Sequence, residues 1–217
     1  DQNAFLNCTE LSNVELKYGI TTIDESAFRN CSNLKKIYIP DSVVSIGAQC
    51  FEGCENLKEI KLSKKMSLIE EKTFFACHAL KEIVIPQSVE SIGDSAFVYC
   101  RSLEKIIIFN KWVWLDSIGL SSYGKPLLIV GQENSHAKKY ATKHGYTFKT
   151  MNEYFMYSIP KNQYGIFVYD SEGQPIPNAS VTFGENAPVL TDENGLALCP
   201  KQTFGIPKLL VSCEGYI

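Results

Sequence analysis

Apolar residues recur at one fixed interval along the first half of the chain. Phe5, Phe28, Phe51, Phe74 and Phe97 lie 23 residues apart, and Cys8, Cys31, Cys54, Cys77 and Cys100 keep the same step. So do Leu11, Leu34, Leu57, Leu80 and Leu103, then Val14, Ile37, Ile60, Ile83 and Ile106, then Leu16, Ile39, Leu62, Ile85 and Ile108. The last three columns read L-x-x-I-x-I, the alternation of a strand covered on one face. Ile23, Ile46, Ile69 and Ile92 mark a second short apolar segment in each unit. A unit this short cannot bury its own apolar side, so successive units must stack, each covering the face its neighbour leaves open. The predicted fold is a strand-dominated solenoid, with the short S-A-F stretch read as one helical turn per coil. Pro40 and Pro86 end two of the strands where no further ladder donor is required.

Neighbouring strands of such a stack lie about 4.8 Å apart, so each column becomes a ladder along the solenoid axis. A single cysteine per coil, in register with a phenylalanine, then reads as a small buried hydrophobe in a narrow corner. A zinc site would want four convergent ligands at close spacing. A disulfide between coils would need side chains that point toward each other, and stacked side chains run in parallel. Cys50 takes the small-residue column held by Ala4, Ala27, Thr73 and Ala96.

An open stack exposes an apolar end and needs a cap. The solenoid is assigned to residues 1–150, with five repeats to about 118 and a C-terminal cap over 119–150. In "SHAKKYATKHGY", Ser135 is the N-cap, Ala137, Tyr140, Ala141 and His144 share one helical face, and Gly145 is the stop. "LLIVG" and "YTFKT" read as flanking strands. Residues 151–163 are a linker. From 164 to 217 the rhythm becomes that of short strands between Gly, Pro, Asp and Asn turns, "YGIFVYD", "NASVTF", "APVLTD", "LALCPK" and "KLLVSC", which predicts a small antiparallel β-sandwich. "TDENG" lacks the later ligands of a calcium loop, so it reads as a hairpin turn. Cys199 and Cys213 fall in the inward phase of two strands, and a disulfide between them is one reading of the pair.

The repeated phrase "AF..C..L..I.IP..V..IG" resembles the BspA-like leucine-rich repeats of bacterial and some protozoan surface proteins, over about residues 1–118. That resemblance implies an α/β leucine-rich repeat solenoid, right-handed and curved, on secreted or surface-anchored proteins that engage host or matrix molecules. Thr73 replaces the usual Ala, and Lys64 and Lys65 stand where a Pro and an Asp-like turn residue are expected. "D..G.PI.NASV.F", "TDENG.A" and "L.VS.EGY" resemble carboxypeptidase-regulatory and bacterial Ig-like modules, which implies a spacer or accessory fold. Asp1 falls inside a repeat, and the second pattern stops at Ile217 before its usual last strand, so the chain reads as a piece of a longer protein.

Composition narrows the function further. With 45% hydrophobic and 21% charged residues the chain has enough apolar side chains for packed cores. A net charge of −3 gives no electrostatic case for nucleic acid or an anionic membrane surface. No stretch reaches the roughly 20 apolar residues of a membrane span. The histidines, His78, His136 and His144, form no metalloprotease spacing, and no nucleophile elbow or phosphate loop is present. The chain is therefore read as non-enzymatic, with no cofactor or metal.

Function is expected on the outward residues of the strands. The candidates are Lys36, Tyr38, Lys61, Val84 and Ile107, continuing through Phe109 to Trp112 and Trp114 in "KWVWL". Exposed apolar clusters mark interfaces, and Trp and Tyr are favoured both in protein hot spots and against sugars. Burial of the two indoles beneath the cap or a second domain is the competing reading. The expected role is a secreted or cell-surface interaction and adhesion module for a host or matrix protein, or a glycan. The alternatives are a structural spacer and a carbohydrate-binding accessory of a larger surface protein.

Overall fold

The computed structural model describes residues 1–115, 117–120, 126–156, 160, 162–170, 175–192, 194–200 and 208–213. The chain divides into two compact units, Asp1–Met151 and Asn152–Ile217.

In the first unit the L-x-x-I-x-I segments form β2 (Lys36–Tyr38), β4 (Glu59–Lys61), β6 (Glu82–Ile85) and β8 (Lys105–Ile108). The second apolar segments form β1 (Thr22–Ile23), β3 (Ser45–Ile46), β5 (Leu68–Ile69) and β7 (Ser91–Ile92). Pairing is parallel and always one repeat on: Ile37 opposite Ile60, Ile83 opposite Ile106, Ile23 opposite Ile46, Ile69 opposite Ile92. A bridge between Asn13 and Lys36 carries the ladder into the first coil. The interval in the sequence is thus the length of one coil.

The columns meet as ladders inside. Phe5, Phe28, Phe51, Phe74 and Phe97 stack with centroids 5.2–5.8 Å apart and planes within 14° of parallel. Cys31, Cys54, Cys77 and Cys100 are buried beside them. Each thiol donates to the carbonyl of a phenylalanine one coil back: Cys31 to Phe5, Cys54 to Phe28 and Cys100 to Phe74 at 3.1 Å, and Cys77 to Phe51 at 3.2 Å. Those carbonyls already accept the amide of the cysteine three residues on in their own coil, so the thiol occupies the second lone pair. The cysteine is more than the small hydrophobe its position suggests.

The S-A-F stretches are not helical turns. Each is a succession of tight turns closed by i→i+3 bonds, such as Arg29 N to Ser26 O and Cys31 N to Phe28 O. Left-handed residues interrupt them at two fixed places per coil. One column is Asn3, Ser26, Gln49, Lys72 and Ser95, with φ of 52–59°; the other is Asn7, Asn30, Gly53, Ala76 and Tyr99, with φ of 58–72°. A residue at positive φ cannot continue a right-handed helix. It turns the amides along the axis instead, so Phe5 N reaches Ala27 O, Phe28 N reaches Cys50 O and Phe51 N reaches Thr73 O. The same ladder continues past the fifth unit, where Ser95 N meets Ser117 O and Phe97 N meets Ile118 O.

β9 (Leu128–Gly131) and β10 (Thr147–Thr150) extend the sheet in parallel, giving the order β6, β8, β9, β10. Between them runs α1 (His136–His144), with Ser135 Oγ accepting from Lys138 N and Gly145 at φ 72° stopping it. Ala137, Tyr140 and Ala141 join the solenoid's own core with Leu127 and Ile129. His144 is exposed and stacks on Tyr140 at 4.3 Å.

A short helix, α2 (Met151–Met156), occupies part of the stretch read as linker. The second unit has two antiparallel sheets among its described residues. β11 (Gln163–Phe167) pairs with β14 (Leu196–Pro200), and β12 (Ser180–Phe183) lies between β13 (Val189–Leu190) and β15 (Leu209–Ser212). Val181 of one sheet packs with Ala197 and Cys199 of the other. The "TDENG" turn is not a hairpin, because the strands it joins, β13 and β14, belong to different sheets; the Asp192 carboxylate accepts from the amides of Asn194 and Leu196. Cys199 and Cys213 are both free thiols.

Candidate interaction surface

The outward ribbon exists in the early coils. Lys36, Tyr38 and Lys61 are exposed, as is Val84. Their neighbours tie the ribbon down: the Tyr38 hydroxyl donates to Glu59 at 2.7 Å, Lys36 Nζ lies 6.0 Å from the Tyr38 ring, and Lys105 pairs with Glu82 at 2.6 Å. The Glu59 carboxylate, accepting that bond, raises the Tyr38 phenol above its ordinary range. A shallow depression of about 390 Å³ lies between Asn13, Glu15, Lys36 and Tyr38. Opposite charges alternate here, so the ribbon has no net sign to offer a partner.

Ile107 and Phe109 do not belong to it. They are 4% and 8% exposed. The reason is visible in the residues: β8 reads KIII and β9 reads LIVG, continuous apolar runs of the kind found in strands covered on both faces. Ile107 pairs with Val130, which is itself fully buried. The ribbon therefore ends at Val84.

Trp112 and Trp114 lie elsewhere, and both are 59% exposed. Burial of the indoles beneath the cap is overturned. Trp114 bridges Ser91, so it occupies the rung of the second apolar segment, in the column Thr22, Ser45, Leu68, Ser91. Val113 and Leu115 point inward and are buried, which leaves the alternate residues outside on one side. Asn110 shapes the turn before them: its amide nitrogen donates to Val89 O at 2.9 Å and its oxygen accepts from Trp112 N at 2.9 Å.

His136 stands edge-on to both indoles, with centroids 5.7 Å from Trp112 and 6.4 Å from Trp114. Its amide donates to Lys111 O at 2.8 Å and its Nδ1 lies 3.3 Å from Val113 O. The first turn of α1 is thereby pinned to the tryptophan segment. Lys111 Nζ sits 4.9 Å from the Trp112 ring. His136 and Lys111 were not foreseen as site residues. The signal for His136 is the repeat itself, since it lies 23 residues, one coil, beyond Val113.

The Cys77 thiol, beside His78, donates to Phe51 O, and burial holds its pKa well above the ordinary thiol range. Among the described residues no group of three or more His, Cys, Asp or Glu is placed to hold a metal ion.

Comparison with known proteins matches this architecture. The profile of the BspA type leucine-rich repeat region matches residues 1–121 in six copies, one more than the five repeats read from the sequence and in keeping with the continued ladder at Ser117 and Ile118. A leucine-rich cell surface protein from Faecalibacterium prausnitzii is 32% identical over 59% of this chain and 34% of its own, with a TM-score of 0.53. A leucine-rich repeat protein from Bacteroides capillosus is 37% identical over 45% of this chain and 70% of its own, with a TM-score of 0.39. The T. pallidum leucine-rich repeat protein is 26% identical over 55% of this chain and 57% of its own, with a TM-score of 0.47. The chain spans about a third of the Faecalibacterium protein's length. A search of the curated proteins gave no match. With more than half of its residues matched in repeat after repeat, the chain belongs to the BspA-type leucine-rich repeat family.

Proposed function

We propose that this chain is part of a secreted or cell-surface protein and serves as a non-enzymatic interaction module, gripping a host or matrix macromolecule through the Trp112–Trp114 face. The observation that carries the reading is the pair of indoles held outside a packed repeat, Trp114 on a rung where other coils carry Thr, Ser or Leu. The fold does not need them there. Large aromatic residues at a rigid, exposed position are the usual anchors of an interface. A surface location is supported by the relative named as a cell surface protein, and no helix among the described residues is long and apolar enough to cross a membrane. The second unit, with two antiparallel sheets around Val181 and Ala197, fits a small β-sandwich spacer of the Ig-like kind.

The test is the double variant Trp112→Ala/Trp114→Ala, presented with the unaltered chain to immobilised purified matrix proteins and glycans. The variant is expected to melt within about 1 kcal/mol of the parent, as exposed substitutions do, and to lose at least about tenfold in affinity, the loss of one hot spot. A variant that unfolds, or one that binds as the parent does, contradicts the reading.

A further inference from the structure

The tryptophan face carries charge as well as aromatic surface. The chain is acidic overall, at −3. Yet an open depression of about 690 Å³ beside Trp112 is rimmed by Lys138, Lys139 and Lys143, with Asn134 and Thr142 among them. Lys111 lies over the Trp112 ring. Among the described residues that line the depression, one carboxylate, Glu133, stands against these lysines, and Lys138 already engages it.

Two of these lysines are placed against the interest of the helix. The first turn of α1 carries no acidic residue, and Lys138 and Lys139 stand near the positive end of its dipole, where cations are unfavourable. Lys139 and Lys143 are four residues apart on the same helix surface, a like-charge pair that weakens a helix. Lys138 is offset by its pairing with Glu133, and Lys143 stands in the last turn, where a cation is favourable. Local stability does not explain Lys139, and a bound anion would.

We propose that the Trp112–Trp114–α1 face binds an anionic glycan, a chain of sugar rings bearing carboxylate or sulfate groups, an inference that rests on reading this face as a binding surface. The parts match the ligand by class. An indole presents an electron-rich face to polarised C–H bonds, of which a sugar ring has a row. Both indole centroids lie within 6.4 Å of the His136 ring, so the two indoles offer neighbouring platforms. Asn134 and Thr142 provide an amide and a hydroxyl for sugar hydroxyls. Lysine ammoniums are compact charges on flexible stems and suit anionic groups spread along a chain. An acidic peptide shares the charge, but acidic peptide motifs are met by clusters of arginine forks, and this surface sets lysines beside two flat rings. Because His136 braces both indoles and pins α1 to Lys111, the platform is ordered before the ligand arrives, which lowers the cost of binding.

Trp112 and Trp114 are the only tryptophans in the chain, so their emission reports the site directly. The full chain is titrated with a hyaluronan hexasaccharide, which carries carboxylates, a heparin-derived hexasaccharide, which carries sulfates as well, and neutral chitohexaose. At least one acidic sugar is expected to shift the emission, to bind at least about tenfold more tightly than chitohexaose, and to weaken as salt is raised. Which of the two prevails tells carboxylate from sulfate recognition. The variant Lys139→Glu/Lys143→Glu, with its helix content checked by circular dichroism, is expected to lose about tenfold or more for the acidic sugar alone. Equal binding of chitohexaose overturns the proposal, as does the absence of a shift with both acidic sugars, unchanged binding by the charge-reversed variant, or tighter binding of a poly-Glu peptide. If every sugar fails while Trp112→Ala/Trp114→Ala still loses a matrix protein, the glycan falls and the binding surface stands.

Discussion

An interior thiol in this solenoid has two tasks, filling the corner beside a phenylalanine ring and donating to the carbonyl one coil back. Both require it to stay neutral. Burial pushes Cys31 up to about 11 and Cys50 and Cys100 up to about 12, and holds Cys54 and Cys77 well above the usual thiol range. A folded pKa raised above the unfolded value of 9.0 means that the unfolded chain releases protons first as pH rises. The stabilisation is complete below pH 9 and is lost progressively between about pH 9 and 12. Thermal melts are expected to hold steady from pH 7 to about 8.5 and to fall steeply above about 9.5, and a variant with Cys54 and Cys77 replaced by Ala is expected to fall less. Reactivity follows exposure. Of the solenoid thiols, Cys8 is exposed and is expected to be labelled first by a thiol reagent, with Cys31, Cys54, Cys77 and Cys100 reacting only on unfolding. The rings show the same gradient: Phe51 is fully buried and Phe5 is 43% exposed, so Phe51→Ala is expected to cost about 3–5 kcal/mol and Phe5→Ala far less in denaturant melts.

At the scale of the element, the turn region is where the sequence said least. The phenylalanine and isoleucine columns announce coil length and strand register, because periodic burial leaves a periodic pattern. A left-handed backbone announces itself only when Gly or Asn occupies it, and here Ser26, Gln49, Lys72, Ala76, Ser95 and Tyr99 all do. Stacking imposes the conformation, and the residue type merely tolerates it. Substitutions should therefore act through backbone preference. Ala76, at φ 58°, is expected to gain up to about 1 kcal/mol on replacement by Gly. Gly53→Ala is expected to lose about 1–2 kcal/mol or more, since φ is 72° and the new Cβ would meet Asn30 Oδ1 at 2.3 Å. Opposite signs at equivalent positions of two coils, read by chemical denaturation, would separate conformational strain from side-chain packing. The α1 helix was more legible, because Ser135 and Gly145 are residues whose chemistry marks helix ends. Ser135→Ala is expected to cost about 1 kcal/mol by freeing the Lys138 amide.

Across the whole molecule, the candidate surface was half legible. The ribbon of Lys36, Tyr38, Lys61 and Val84 follows from strand alternation alone. Ile107 and Phe109 had their own warning in the unbroken KIIIF run, the mark of a strand covered twice. The two tryptophans carried the contrary warning, since W-V-W-L puts Val113 and Leu115 inward and both indoles outward. What no local pattern shows is that α1 returns one coil later to set His136 between them and a row of lysines beside them, because that neighbourhood is made by stacking. Collisional quenching of native tryptophan emission by iodide tests this most directly. With the repeat holding rings and thiols inside and leaving the sole two indoles outside, both should quench as one accessible class, nearly as readily as in the unfolded chain. Blue-shifted emission that iodide fails to quench would contradict it.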